Sequence, residues 1–200
     1  MLSGIILSGG LSSRMGREKG LIRLAGRPLI SYVAAVLDGV TDEIVVSVAK
    51  GMSDSYKAVL GRDIKMAEDR RPGLGPLEGL VSALAAAQGQ YVLVSPCDTP
   101  LLRPAMCTLI ADRARGYDGA VPRTGGKFEP LHASYARDKA LGAFRRTISR
   151  GRRKPIEAYG ELRLVYIEED ELRAVDPELL SFWNLNSPAD LKLAERRLGI

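Results

Sequence analysis

The chain has very little of the chemistry that builds zinc sites and disulfide scaffolds. It holds one histidine, His132, and two cysteines, Cys97 and Cys107. The cysteines form no C-x-x-C pair, and with a single histidine no zinc-type cluster can be assembled. Aromatic residues make up only 6% of the chain and are scattered, so no aromatic-rich strand suited to stacking on bases is present. No apolar run approaches the ~20 residues of a membrane span. The opening Met1-Leu2-Ser3-Gly4-Ile5-Ile6-Leu7 is too short for a signal-peptide core and runs straight into glycines. These absences point to a reducing, cytoplasmic setting, with neither nucleic acid nor a membrane as partner.

Apolar material, by contrast, is plentiful. Hydrophobic residues make up 46% of the 200 residues and charged residues 26%, which suits one globular domain spanning 1–200. The formal charge of +5 and pI of about 9.3 favour phosphate-rich ligands, and on charge alone also nucleic acid. The densest basic stretch is Arg145, Arg146, Arg150, Arg152, Arg153 and Lys154. It reads either as a solvated helix end or as an anion-contacting lip.

Strand and helix signals alternate along the chain. Gly4–Leu7, Glu43–Val48, Ile64–Ala67 and Tyr91–Val94 read as apolar or β-branched strands. Helices are expected from Pro28, with Leu29, Ile30, Val33, Val36 and Leu37 at helical spacing, and from Ser53 to Leu60. Others run from Pro76 to Ala87, Pro104 to Arg115, Asp138 to Ser149 and Ser187-Pro188 to Leu198. Strands at Gly119–Val121 and Leu131–Tyr135 flank a Gly125-Gly126 turn, and Leu162–Glu168 reads as a late strand. The alternation implies an α/β fold: a mainly parallel sheet with helices on both faces. Ligands of such sheets sit beyond the carboxyl ends of the strands.

Two features lie there. The loop Leu7-Ser8-Gly9-Gly10-Leu11-Ser12-Ser13-Arg14-Met15-Gly16-Arg17-Glu18-Lys19 has small residues that let backbone N–H groups approach a phosphate, and Arg14 and Lys19 add positive charge. It is not a Walker loop, because Gly16 is followed by Arg17. Nor is it a dinucleotide fingerprint, since the second strand ends at Val48-Ala49-Lys50 without an acid. The second feature is Asp98, which follows an apolar strand between Pro96 and Pro100. It suits magnesium, which takes hard oxygen ligands and is usually held by one or two carboxylates plus phosphates. It equally suits the cap of the next helix.

The pattern L-x-G-G-x-x-S-x-R-M-G-x-x-K resembles the signature of the sugar-phosphate-type nucleotidyltransferases, and among them the molybdenum cofactor guanylyltransferases. The resemblance continues through Gly75-Pro76-Leu77-Glu78-Gly79, Pro96-Cys97-Asp98-Thr99-Pro100, Glu129-Pro130-Leu131-His132-Ala133 and Asn184-Leu185-Asn186-Ser187-Pro188-Ala189-Asp190, covering nearly the whole chain in order. It implies a three-layer, Rossmann-like nucleotidyltransferase (GT-A-like) fold. It also implies transfer of GMP from GTP to molybdopterin, with or without molybdenum, with release of pyrophosphate and with Mg2+ as cofactor. Related transferases that use CTP or another phosphorylated acceptor such as cobinamide phosphate are the alternative, as is a nucleotide-binding module without catalysis.

The same resemblance distributes the roles. Arg14, Lys19 and Asp98 are the expected catalytic groups, with Asp98 the metal ligand. Leu7, Ser8, Gly9, Gly10, Lys19, Asp69, Gly75, Pro76 and Asp98 line the nucleotide site. Asp69 is suited to guanine because an ionised carboxylate can accept from two adjacent N–H donors; alignment leaves Glu68 as the alternative. Glu129, His132, Asn184 and Asn186 face the acceptor. Asn184 or Asn186 reads either as a second metal ligand or as part of a turn into the last helix. His132 reads as structural or as catalytic. Arg123, Lys127, Arg145 and Arg146 are candidate contacts for an anionic pterin phosphate, although each alone reads as a surface charge. The family often carries an Asn just after the second strand, where this chain has Val48-Ala49-Lys50. Transient contact with other cofactor-biosynthesis proteins or with acceptor molybdoenzymes is also implied.

Overall fold

In the computed structural model, which describes residues 1–8, 18–60, 64–69 and 75–199, the chain enters the middle of a sheet at once. β1 (Leu2–Leu7) is buried from Ser3 onward, so it has no solvent-facing side, and apart from Ser3 its sequence is not polar at alternate positions. A hairpin of β2 (Arg23–Leu24) and β3 (Arg27–Pro28) follows. It turns through Ala25 and Gly26, both at positive φ, and leads into α1 (Leu29–Asp38). Next come β4 (Glu43–Val48), α2 (Ser53–Leu60), β5 (Lys65–Glu68), α3 (Pro76–Ala86), β6 (Tyr91–Pro96) and α4 (Pro104–Ala114). The second half adds β7 (Gly119–Thr124), β8 (Lys127–Phe128), β9 (Ser134–Ala136), α5 (Arg137–Ser149), β10 (Leu164–Ile167), α6 (Glu169–Val175) and α7 (Pro188–Leu198). Single 3-10 segments lie at Lys19–Leu21, Pro155–Glu161 and Leu180–Phe182.

The sheet runs β10-β7-β9-β6-β1-β4-β5, with β8 attached to β7. β5, β4, β1 and β6 are mutually parallel, and β10 is parallel to β7. β9 is inserted antiparallel between β6 and β7. The α/β class and the mainly parallel sheet are as expected from the alternation of elements. Successive strand residues point to opposite faces. Ile6, Val46, Leu93 and Ala120 meet α1, α2, α4 and α6 on one side. Ile5, Val45, Val92, Val94 and Val121 meet α3 and α5 on the other. These three layers place the core in two sheets of apolar contact, one on each face.

Some elements differ from the sequence reading. The strand expected from Leu131 begins at Ser134, because Pro130–His132 turns, with the His132 N–H donating to the Glu129 carbonyl at 3.1 Å. The late strand ends at Ile167, and the acidic residues after it open α6. The hairpin β2–β3 and strand β8 had no sequence signal. Among the described residues no helix is long and apolar enough to cross a membrane.

Two features position the site. First, β4 and β6 flank β1 on opposite sides, so the strand order reverses there and a crevice opens beyond the carboxyl ends of β1 and β6. Second, a small third cluster joins Ile22, Leu24 and Leu29 to Leu185 and Ala194. It fastens the C-terminal segment against the residues that follow the first loop.

Candidate active site

Leu7 and Pro96 are register partners at the ends of β1 and β6, so the residues after them leave the sheet side by side. The Cys97 N–H donates to the Leu7 carbonyl at 3.1 Å, and the Ser8 N–H donates to the Ser47 carbonyl at 2.9 Å. Above these strand ends lies a cavity of about 560 Å3. Leu7, Ser8, Lys19, Pro76, Asp98, Glu129, His132, Asn184 and Asn186 line it, and Pro96, Cys97, Pro130 and Leu131 complete the wall. Residues far apart in sequence thus meet in one place. The four wall residues lie within or beside the segments singled out in the sequence, although no role was assigned to them.

Lys19 is the centre of the charged wall. Its ammonium donates to Asp98 Oδ2 at 2.9 Å and to Asn186 Oδ1 at 2.8 Å. Asp98 is 5% exposed, and its own carbonyl accepts from the Leu185 N–H at 2.9 Å. The capping role for Asp98 does not hold: α4 starts at Pro104 and its N-cap is Arg103. Asn186 is held in turn. Its Nδ2 donates to the Asn184 carbonyl at 3.0 Å, and its backbone N–H donates to Asp190 Oδ2 at 2.9 Å. Asp190 also accepts from the Ser187 N–H while Ser187 Oγ accepts from the Asp190 N–H, which is a capping box on α7. These backbone hydrogen bonds, first the one from Asn186, hold the Asp190 carboxyl below its ordinary value.

The donor set suits a divalent cation. A carboxylate oxygen and an amide oxygen already converge on one positive charge, and both are hard oxygen ligands. Among the described residues no group of three or more His, Cys, Asp or Glu side chains clusters. A metal here would rest on Asp98 and Asn186, with the remaining positions left to water or phosphate oxygens.

The opposite end of the cavity is different in character. His132 is 4% exposed, and its Nε2 has no hydrogen-bond partner. Burial pushes its pKa down to about 3, so the ring is neutral at pH 7; it lies 5.2 Å from the Phe182 ring, centroid to centroid. Burial likewise raises the Glu129 carboxyl, opposed by a short hydrogen bond from the Thr124 hydroxyl. Both cysteines are free and buried, with thiols pushed up to about 12; neither is a nucleophile at neutral pH.

Other residues lie away from the cavity. Asp69 does not line it: its carboxylate accepts from Ser47 Oγ at 3.1 Å, and burial raises its pKa. Glu68 is occupied elsewhere, accepting from Ser53 Oγ at 2.7 Å at the start of α2. Gly75 precedes α3 at φ 78, a conformation that favours glycine. Gly9, Gly10 and Arg14 lie outside the described residues. Arg146 and Arg150 both pair with Glu161, at 2.6 and 2.5 Å, and Arg123 pairs with Glu168 at 3.0 Å. Two members of the basic stretch, Arg146 and Arg150, thus share one counterion near the end of α5.

Residues 4–162 match the family model of the MobA-like NTP transferase domain. The chain belongs to the MobA-like NTP transferase family. A probable molybdenum cofactor guanylyltransferase from Pelotomaculum thermopropionicum is 35% identical over 189 residues, covering 94% of this chain and 89% of the relative. The molybdenum cofactor guanylyltransferase of Desulfosudis oleivorans is 37% identical over 196 residues, covering 97% of this chain and 94% of the relative. Among solved structures, molybdopterin-guanine dinucleotide biosynthesis protein A from Archaeoglobus fulgidus superposes with a TM-score of 0.83 at 29% identity, covering 98% of both chains. This MobA-like chain is a nucleotidyltransferase, and its nucleotidyltransferase fold is the one the loop motif implied.

Proposed function

We propose that this MobA-like transferase moves GMP from GTP to molybdopterin, with or without bound molybdenum, and releases pyrophosphate, with residues 1–200 acting as one nucleotidyltransferase domain. The observation that carries the reading is the convergence of the Lys19 ammonium, the Asp98 carboxylate and the Asn186 amide oxygen in the cavity beyond β1 and β6. The names of relatives that match nearly the whole chain support guanine and the molybdenum cofactor as substrates.

An acceptor phosphate monoester needs no protein base, since its second pKa is near ~6 and it is largely dianionic at neutral pH. Its oxygen attacks the α-phosphorus in line, the bond to the bridging oxygen breaks, and the electron pair leaves on pyrophosphate. Ser8, Gly9 and Gly10 start the loop whose backbone N–H groups cradle the phosphates, with Arg14 as a further cation. Lys19 releases Asp98 and holds the phosphate oxygens that gain charge. Nucleotidyltransferases work with a divalent metal ion, and magnesium held by Asp98 and Asn186 would neutralise charge on the phosphates when bound. Asp69 takes the two N–H donors of guanine, beside Gly75 and Pro76. Glu129, His132 and Asn184 face the acceptor, and the neutral imidazole of His132 offers it a hydrogen bond rather than a charge. The substrates are small molecules met in the cytoplasm, and the product passes to molybdoenzymes or neighbouring biosynthesis proteins by transient contact.

The test is pyrophosphate release from each of the four nucleoside triphosphates with magnesium and molybdopterin. Release with GTP alone is expected. Release with CTP would overturn the base, and release only with cobinamide phosphate as acceptor would overturn the acceptor. Silence with all of them, alongside tight nucleotide binding, would make the protein a binding module.

A further inference from the structure

Ser8, before the first loop, and Glu18, after it, both meet one buried phenol. Tyr56 on α2 is 0% exposed. Ser8 Oγ donates to its hydroxyl at 2.5 Å, and that hydroxyl donates to Glu18 Oε2 at 3.2 Å. Gly20 closes the same junction: a Cβ there would lie 2.5 Å from Ser8 Oγ and 2.9 Å from Tyr56 Cε1. Burial raises the Tyr56 pKa far above its ordinary value, so the phenol keeps its proton and remains a donor. Lys19, whose ammonium reaches Asp98, stands between the two residues held this way, Glu18 and Gly20.

The geometry points to Tyr56 as a positioning residue for nucleotide binding: it ties Ser8, before the first loop, to Glu18, after it and next to Lys19. The tether fixes where Lys19 leaves the backbone, and a fixed donor binds phosphate better than one that must be ordered first.

This inference rests on the reading of Ser8 and Lys19 as nucleotide-binding residues. The test is the dissociation constant for GTP with magnesium and no acceptor, measured by titration on the full chain while circular dichroism reports the fold. Tyr56→Phe and Glu18→Ala are each expected to weaken binding about tenfold. The double variant should bind no worse than Tyr56→Phe, since Glu18 is held through the phenol. Glu18→Gln, whose amide oxygen still accepts from the phenol, should stay within about twofold. A folded Tyr56→Phe that binds GTP as the unchanged protein does would overturn the tether, as would additive losses in the double variant. Should Tyr56→Phe not fold, Glu18→Ala against Glu18→Gln decides alone: equal affinities overturn the tether. Failure of the unchanged protein to bind GTP would instead overturn the nucleotide site, and the tether with it.

Discussion

The Lys19 ammonium lies between the Asp98 carboxylate and the Asn186 amide oxygen, and this has a measurable consequence for Lys19 and Asp98. Lys19→Ala removes the cation proposed to bind phosphate, and turnover should fall by roughly two orders of magnitude, the usual cost of losing one preorganised donor. It also leaves Asp98, at 5% exposure, without its counter-charge, so the melting temperature should fall. Added magnesium should restore more stability to Lys19→Ala than it adds to the unchanged protein, because the metal binds only the folded chain and no longer competes with the ammonium. Equal shifts would separate the metal from Asp98. Asp98→Asn should raise the magnesium concentration needed for half-maximal activity; an unchanged titration would place the metal elsewhere. His132 gives a prediction of the opposite kind. Its folded pKa of about 3 lies below the ordinary 6.5, so the unfolded chain binds the proton first as pH falls. Its contribution is full above about pH 6.5 and is lost progressively below it. Chemical denaturation across pH 7 to 4.5 should therefore show a steeper loss in the unchanged protein than in His132→Gln. That Lys19 and Asp98 belong to one site was legible only through the family resemblance, since the chemistry of Asp98 alone suited a helix cap equally well. Tyr56 was not legible, because an aromatic on an amphipathic helix looks the same whether or not its hydroxyl has a task.

The element that completes the site is the extended segment before α7. Leu185 is 0% exposed and packs with Ile22, Leu24, Leu29 and Ala194, between the two asparagines. Leu185→Ala should cost about 2–5 kcal/mol of stability and reduce turnover further than its distance from the phosphates suggests, since Asn184 and Asn186 share its backbone. Normal turnover in a folded Leu185→Ala would show that the segment is held by other contacts. This element was half legible. Ser187, Pro188 and Asp190 spell out the cap of α7, but the hairpin β2–β3 that receives Leu185 has two residues per strand. Strands that short carry no periodicity and exist only through pairing. The turn at Pro130–His132 was misread as strand for a related reason: apolar Leu131 suits either, and the carbonyl of Glu129 decides.

At the scale of the whole molecule, the alternation of strands and helices was enough for the parallel sheet, while the order of strands was not. The insertion of β9 between β6 and β7 depends on pairing that no local pattern records. The net charge of +5 acts at this scale too: the Michaelis constant for the triphosphate should rise several-fold between roughly 50 and 500 mM salt, as screening shortens the reach of the field. A constant value would confine recognition to contacts inside the cavity. The link between Lys19 and Asn186 joins residues 167 positions apart, whereas the last sheet strand ends at Ile167. A ribosome that has delivered every strand has not yet delivered the asparagines. The cavity is therefore completed by a segment made after every described strand of the sheet, so the wall of the site closes last along the chain.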